Sequence, residues 1–321
     1  MKGAGAMLNL FDRNRTFVVS EREDLSNNFD PSKCEQYAAY IPKNRFFSSQ
    51  KSRKVLVLIH GFNSTTSDAI KHYDQISKDL GSAYDNVIYY LWPGGKYGVD
   101  GLSFEELAKN LTVYSGARSR VVERLKLRLE AFLSNLRGQT ATIDIIAHSM
   151  GCRLTLEALA SLPLPAPGQT VRYVYLMGAA VGSHTLSLGG SYYYAAYQCK
   201  DIYIFFSKND SVLKKDFPLG ECTTPQETEK IIDKVVHERI QRARTFTGAI
   251  KNATSSFFDD WSAEMASAYF KKTALGFTGP EGKKNGNVIV KDVSKQVDDH
   301  SGYYTSQIVL STIKNNATSD I

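Results

Sequence analysis

The sequence predicts an α/β protein with a mainly parallel, doubly wound sheet flanked by helices. The first indication is a set of continuous apolar runs, such as KVLVLI at 54–59. Such runs are typical of strands that are buried on both faces of a parallel sheet. The second indication is that these runs alternate with segments of helical periodicity. With 321 residues, 42% of them hydrophobic, the chain can bury a core of this kind.

Six strands are predicted, each an apolar run bounded by polar residues or turn signals. They cover residues 54–59, 86–92, 142–147, 171–178, 201–206 and 287–293. Helices are predicted at 66–80 and at about 117–137, where apolar residues recur every three to four positions and a glycine follows the last turn. A further helix is predicted directly after the strand at 142–147.

Composition divides the chain into three parts. Residues 1–53 are polar and rich in turn signals, and we expect an N-terminal arm that packs on the core. Residues 54–210 and 273–321 contain all six strands and form the core. Residues 211–272 carry no strand pattern but contain helical apolar and aromatic stripes, which indicate a helical cap inserted into the core. The alternative, in which the aromatic stripe simply packs on the core, stays open.

Charge and composition exclude several classes of function. The net charge of +6 is spread along the chain, whereas nucleic-acid binding needs clustered Lys and Arg; peripheral contact with anionic lipid stays open. No apolar run reaches the ~18 residues of a membrane span, and the N-terminal residues lack the apolar stretch of a secretory signal. We therefore expect a cytoplasmic protein, unless this is a processed form. The four cysteines show no zinc-ligand spacing, so no metal or cofactor is expected. The oligomeric state does not follow from the sequence.

The most informative motif is Ala147-His148-Ser149-Met150-Gly151, at the junction of a strand and a helix. It matches the nucleophile pattern G-x-S-x-G with Ala in place of the first Gly. A nucleophilic serine needs a tight, strained turn that exposes its oxygen. Small residues two positions before and after it let the neighbouring elements approach closely. The start of the helix also presents the N–H of Met150 to a developing oxyanion. The alternative is a serine in an ordinary strand–helix turn.

An acid and a base for this serine also follow the ends of strands. Asp210 comes four residues after the strand at 201–206, and the carboxyl ends of parallel strands share one edge of a sheet. Asp201 lies at the opposite end of that strand, and the alternative for Asp210 is a turn or helix-cap role. His300 follows the last strand. A histidine takes the proton of the serine while a buried carboxylate orients its ring.

The competing groups fit these roles less well. Asp298 and Asp299 are adjacent to His300 in sequence, and adjacent residues rarely have the reach to orient its ring. Of the other histidines, none combines a late position in the chain with a strand-end carboxylate. They are His72, His148, His184 and His237.

With these motifs, the chain resembles the α/β-hydrolase superfamily. Within it, the chain is most similar to a mostly bacterial, lipase/esterase-like branch that combines an HGFN-type loop, a short strand ending in Trp-Pro and an AHSMG elbow. Here these are His60 to Asn63, Leu91-Trp92-Pro93 and Ala147 to Gly151. The segment LGFTGP at 275–280 and the pattern His300-Ser301-x-Tyr303 are similar as well. The match covers roughly residues 54–210 and 273–314.

The resemblance implies an eight-stranded sheet, of which six strands are identified above, and a metal-independent acyl-enzyme mechanism. It implies Ser149, Asp210 and His300 as the triad, in the chain order of this fold. It also implies the backbone N–H groups of Phe62 and Met150 as the oxyanion hole, with Asn63 as the near alternative to Phe62. His60 is then expected to hold its loop in place and not to move protons.

We therefore expect an esterase or lipase-like serine hydrolase that acts on a small acyl ester or lipid-like substrate. Asn63, His148 and Trp261 are the candidate substrate contacts. An acyltransferase or thioesterase with the same triad is an alternative, because only access of water distinguishes them. A catalytically silent binding protein with this fold is the third possibility.

Overall fold

Among the residues that the computed structural model describes, seven strands form one sheet, and every pairing between these strands is parallel. The structure describes residues 16–20, 50–51, 53–94, 114, 118, 121–164, 171–221 and 273–319. The strands are β1 (Thr16–Ser20), β2 (Lys54–Ile59), β3 (Asn86–Leu91), β4 (Thr142–His148), β5 (Val171–Met177), β6 (Cys199–Phe206) and β7 (Val288–Asp292). Their order across the sheet is β1-β3-β2-β4-β5-β6-β7. The predicted parallel sheet is therefore confirmed, and six strands lie where the sequence placed them.

Strand β1 was not predicted. It pairs with β3 from Thr16↔Val87 to Ser20↔Leu91 and forms one edge of the sheet. All five of its residues are half-buried, so it lacks the long apolar run that marks the central strands. Part of the segment predicted as an irregular arm is thus a strand of the sheet itself.

Helices cover both faces of the sheet. They are α1 (Thr66–Leu80), α2 (Lys126–Arg137), α3 (Met150–Ser161), α4 (Ser211–Gly220), α5 (Leu275–Thr278) and α6 (Gln307–Thr318). Helix α2 is preceded by a π-helical turn, Val121–Leu125. Helices α2 and α3 pack on one face of the sheet, and α1 and α6 pack on the other. The fold is thus doubly wound, as the sequence predicts.

The apolar face of α1 shows why this element forms. Ala69, Tyr73, Ile76 and Leu80 are the residues that helical spacing predicts to share one face, and all four are buried. Burying an apolar side chain of this size contributes about 1.5–3 kcal/mol. A capping pair at the start of the helix, Thr65 with Asp68, satisfies N–H groups that the helix leaves open. Packing against the sheet and capping therefore both fix α1.

A charged pair lies within the apolar sheet. Asp144 of β4 is fully buried and accepts two hydrogen bonds from the guanidinium of Arg172 on β5, at 2.9 Å and 2.5 Å. Tyr84 donates its hydroxyl to the same carboxylate at 2.7 Å. Because a buried charge is costly unless it is paired and hydrogen-bonded, these contacts explain how a carboxylate fits inside a strand that otherwise reads as apolar.

The fold places several chain segments at one edge of the sheet. Strands β2, β4, β5, β6 and β7 all run in the same direction, so the loops after them meet at the carboxyl edge. The proposed cap at 211–272 is described only as far as residue 221, where α4 has ended; the rest of it, including Trp261, lies outside the described residues. Within the residues described, no helix is long and apolar enough to cross a membrane.

Candidate active site

Ser149 stands in a strained turn between β4 and α3. Its φ is 54° and its ψ is −124°, a conformation that a non-glycine residue keeps only where its surroundings enforce it. The Ser149 N–H donates to the carbonyl of Met177 at 3.0 Å, and the Ser149 carbonyl accepts from the N–H groups of Cys152 and Ala180 at 3.0 Å and 3.1 Å. These three hydrogen bonds hold the tight turn that the sequence predicts at this serine.

Small residues around Ser149 allow a very close approach of backbone segments. A Cβ atom on Gly151 would lie 2.3 Å from the carbonyl oxygen of His60. A Cβ atom on Gly61 would lie 2.8 Å from Cβ of Ser149. Because Cβ contacts this short do not occur in folded proteins, both positions require glycine. The loop after β2 thereby lies directly against the turn that carries Ser149.

His300 and Asp210 are in direct contact. Nδ1 of His300 lies 2.8 Å from Oδ2 of Asp210, which is fully buried. A carboxylate can only accept, so Nδ1 carries the proton of this hydrogen bond and Nε2 is left to accept one. The structure thus brings together the acid and the base that the sequence predicts, from loops after different strands.

Further donors fix the carboxylate of Asp210. The backbone N–H of Leu213 donates to Oδ1 at 3.0 Å, and the hydroxyl of Tyr303 donates to Oδ2 at 3.2 Å. Gly178, with a φ of 54°, leaves room for this arrangement, because a Cβ atom there would lie 2.8 Å from the ring of Tyr303. The contact of Tyr303 with the acid was missed by the sequence analysis, although its position three residues after the candidate base was a signal.

No hydrogen bond joins Ser149 to the His300 ring within the described part of the chain. Such contacts are often long in ligand-free hydrolases and tighten when substrate binds. The two residues are nevertheless neighbours, because His148 directly precedes Ser149 and its ring centroid is 4.7 Å from that of His300.

His60 fixes the loop after β2. Its Nδ1 lies 2.8 Å from the carbonyl oxygen of Gly61, its Nε2 accepts the backbone N–H of Trp92 at 3.2 Å, and its carbonyl accepts the indole N–H of Trp92 at 2.7 Å. The rings of His60 and Trp92 are stacked, with their centroids 5.3 Å apart. Both ring nitrogens are thus engaged, one with Gly61 and one with the chain after β3, as expected of a residue that holds this loop in place.

Two backbone N–H groups beside Ser149 have no hydrogen-bond partner among the described residues: those of Phe62 and Met150. The N–H of Asn63 instead donates to the carbonyl of Gly94 at 3.3 Å, with Asn63 at a φ of 57°. Of the two candidates in this loop, Phe62 therefore has the available donor. The ring of Phe62 packs edge-on against Tyr114 at 5.5 Å.

The candidate substrate contacts have different positions. Asn63 is exposed at the loop after β2. His148 is buried, and its Nε2 lies 2.7 Å from the carbonyl oxygen of His300. Trp261 is outside the described residues. Substrate binding by these three residues stays a prediction.

The helix that follows Ser149 is held by a largely buried ion pair. Arg153 on α3 donates to Glu221 at 2.5 Å and to the carbonyl of Ala180 at 3.2 Å. Burial is the largest single influence on the pKa of Arg153 and lowers it, but Glu221, Tyr114 and Tyr192 together raise the pKa by more, so the guanidinium stays charged. Since Glu221 directly follows α4, this contact ties the end of α4 to α3, the helix after Ser149.

Cys152 behaves as a packed thiol. It is fully buried in the first turn of α3, and its Sγ donates to the carbonyl of Ala147 at 3.2 Å. Burial raises the pKa of the thiol, which disfavours the reactive thiolate. No group of three or more potential metal ligands occurs among the residues with a described position.

Comparisons with known proteins give one family match. A family model described as "Alpha/beta hydrolase of unknown function (DUF900)" matches residues 39–220, more than half of the chain. Among solved structures, a likeness is found to a lipase-esterase related protein from Clostridium acetobutylicum ATCC 824, with 14% identity and a TM-score of 0.32, over 83% of this chain and 95% of that one. No curated protein gives a significant match.

Proposed function

The chain belongs to this family of α/β hydrolases, and on that premise we propose that it is a serine hydrolase that cleaves carboxylic esters through an acyl-enzyme. The superfamily that the sequence motifs indicate is confirmed by the family match, and the parallel, doubly wound sheet is the fold predicted with it. The step from hydrolase to serine esterase is our inference from the site.

One observation carries this proposal. A hydrogen-bonded His300–Asp210 pair lies at the same sheet edge as a serine held at positive φ. A serine hydroxyl is a weak nucleophile, and it needs a base that is itself oriented by a third group. The pair supplies both, and the strained turn projects the serine from the edge.

The reaction then follows from the roles of these groups. Ser149 Oγ attacks the ester carbonyl while Nε2 of His300 takes its proton, and Asp210 stays ionised and stabilises the imidazolium. The N–H groups of Phe62 and Met150 stabilise the oxyanion of the tetrahedral intermediate. His300 next protonates the leaving alcohol, and it then activates a water molecule that hydrolyses the acyl-enzyme.

An acyl or lipid-like substrate is proposed from the sequence, because the insertion is rich in aromatic residues. The acceptor of the acyl group is proposed to be water. Adding a competing alcohol or thiol to the assay distinguishes hydrolysis from acyl transfer, because a transferase would yield the new ester or thioester in preference to the free acid.

The test is labelling with a fluorophosphonate and turnover of p-nitrophenyl esters of increasing chain length. Wild type is expected to react, and Ser149→Ala is expected to lose both activities. Ser161→Ala is the matched control, because Ser161 is exposed at the other end of α3 and its hydroxyl bonds only within the helix. A well-folded wild type that neither labels nor turns over any ester would contradict the proposal and favour a silent binding protein.

A further inference from the structure

The imidazole of His148 is in contact with the loop that carries His300. Its Nε2 lies 2.7 Å from the carbonyl oxygen of His300, and its ring packs at 4.8 Å against Tyr304. A carbonyl oxygen only accepts, so Nε2 of His148 carries a proton and donates it. The residue directly before Ser149 thus makes a hydrogen bond to the backbone of the candidate base, 152 positions away in the chain.

The opposite side of the same ring faces the loop after β2. A Cβ atom on Gly61 would lie 3.0 Å from Nδ1 of His148, so the ring fills the space up to that backbone. Gly61 directly precedes Phe62, whose N–H is the proposed oxyanion donor. The buried ring of His148 therefore lies between the loop after β2 and the loop that carries His300, and it contacts both. A shift of this ring would displace both loops.

The protonation state of His148 suits this position. Burial lowers its pKa well below 6.5, and the neighbouring His300 lowers it further. The ring is therefore neutral at neutral pH. A neutral ring does not repel the imidazolium that forms on His300 when it takes the serine proton.

We propose that His148 is a positioning residue that fixes the backbone of His300, so that the His300 ring meets Asp210 on one side and Ser149 on the other. This role rests on the proposed serine hydrolase function. It differs from a substrate contact, because the donor atom of the side chain is already engaged with the base loop. A misplacement of a catalytic group by ~1 Å can cost ~10²-fold in rate, so this anchor is expected to matter for chemistry more than for substrate binding.

Two substitutions separate the hydrogen bond from the packing of the ring. His148→Phe keeps an aromatic ring against Tyr304 but removes the donor. His148→Gln loses the ring, but its amide nitrogen lies close to the position of Nε2 and keeps a donor. His72→Phe is the control. The His72 ring stacks on Tyr304, the ring that His148 also contacts, with 4.3 Å between the centroids, and it makes no described contact with His300.

The expected result is a fall in kcat of ~10–100-fold for His148→Phe with KM nearly unchanged. His148→Gln is expected to retain more activity than His148→Phe, and His72→Phe is expected to match wild type. Thermal unfolding is measured alongside for all variants, so that a loss of folded protein is not mistaken for a loss of rate.

The separation of kcat from KM and the rescue by His148→Gln are readouts that a change in stability alone would not produce. Partial unfolding lowers the apparent kcat in proportion to the unfolded fraction, which thermal unfolding measures. A displaced base instead lowers the kcat of the folded protein and leaves KM nearly unchanged.

Each outcome decides the proposal. It is overturned if folded His148→Phe labels and turns over ester at the wild-type rate. The proposal is also overturned if folded His148→Gln is no more active than His148→Phe. If His148→Phe fails to fold, wild-type-like activity of His148→Gln supports the proposal. A wild type that does not react at all overturns the proposed function together with this role, whereas equal rates in wild type and His148→Phe overturn only the role of His148.

Discussion

Nδ1 of His300 and Oδ2 of Asp210 lie 2.8 Å apart, although 90 positions separate the two residues in the chain. The contact forms because Asp210 follows β6 and His300 follows β7, and these strands are parallel neighbours in the sheet. Their carboxyl ends therefore bring the two loops to one place. The side chain of Asp210 is fully buried, and its three described donors leave it little freedom to reorient.

The first prediction concerns the charge of Asp210. Asp210→Asn keeps the shape of the side chain but no longer stabilises the imidazolium, and its amide favours the wrong tautomer of His300. We expect kcat for ester hydrolysis to fall by ~10⁴-fold, the magnitude typical of this change in a Ser-His-Asp triad, with thermal stability changed far less than activity. The measurement is kcat and KM with a p-nitrophenyl ester at neutral pH.

Tyr303→Phe is the matched comparison for this prediction. It removes one donor to Oδ2 of Asp210 and to the carbonyl of Gly276, each at 3.2 Å, but keeps the carboxylate and the ring. We expect a stability loss of ~1 kcal/mol and a rate loss much smaller than in Asp210→Asn. Equal rate losses in the two variants would show that the carboxylate of Asp210 has no special role in orienting the base.

Much of the fold follows from local pattern. The helix predicted at 66–80 has the same bounds in the structure, because its apolar face and its glycine stop are both written within the segment. Strand β1 was missed, because its five residues are only half-buried at an edge of the sheet and therefore carry no long apolar run.

The parts of the site that the sequence analysis missed depend on contacts between distant residues. The hydrogen bond from His148 to the His300 carbonyl joins a side chain to a backbone atom across the fold, and no spacing within either motif encodes it. The Asp144–Arg172 pair had a usable signal, because a carboxylate inside an apolar strand requires a partner and a neighbouring strand carries an arginine.

The second prediction concerns the glycine that follows Ser149 by two positions. A Cβ atom on Gly151 would lie 2.3 Å from the His60 carbonyl oxygen and 2.9 Å from that of Ile59, so Gly151→Ala must push the start of α3 away from β2. Overpacking against backbone of this kind costs ~1–3 kcal/mol or more. We expect a lower free energy of unfolding in urea and a loss of labelling at Ser149.

Gly286→Ala is the control for this substitution, because nothing lies within 4 Å of the added atom. It should unfold and label like wild type. Wild-type behaviour of Gly151→Ala would mean that α3 and the end of β2 are not as close as the structure has them.

The third prediction concerns the buried ion pair of Asp144 and Arg172. In Arg172→Met, the donors that remain for the fully buried Asp144 carboxylate among the described residues are the Tyr84 hydroxyl and the Tyr173 backbone N–H. Removing one partner of a buried pair costs ~3–5 kcal/mol, mainly because the other charge stays uncompensated. Adding Asp144→Asn removes that charge, so we expect the double variant to be more stable than Arg172→Met alone.

Urea unfolding of the two single variants and the double variant measures this coupling. Arg124→Met, at an exposed position in the π-helical turn, is expected to cost within ~0.5 kcal/mol. A double variant that is less stable than Arg172→Met would contradict the account of an uncompensated charge.

The last prediction concerns stability at acidic pH. Burial lowers the pKa of His148 well below 6.5, and burial also lowers the pKa of His72. In the unfolded chain each histidine titrates near its ordinary value, so below about pH 6.5 the unfolded state binds protons that the folded state does not. Above about pH 6.5, neutral His148 therefore makes its full contribution to the free energy of unfolding. This contribution is lost as the pH falls towards the folded pKa of His148, by up to ~1.4 kcal/mol per pH unit for one such group.

His148→Gln removes this dependence, because glutamine does not titrate. The free energy of unfolding of wild type should therefore fall more steeply between pH 7 and pH 5 than that of the variant, while buried carboxylates contribute alike to both. His184→Gln, at an exposed position, is the matched substitution. Urea titrations at several pH values provide the measurement, and parallel curves for wild type and His148→Gln would mean that His148 takes up its proton as readily in the folded protein as in the unfolded chain.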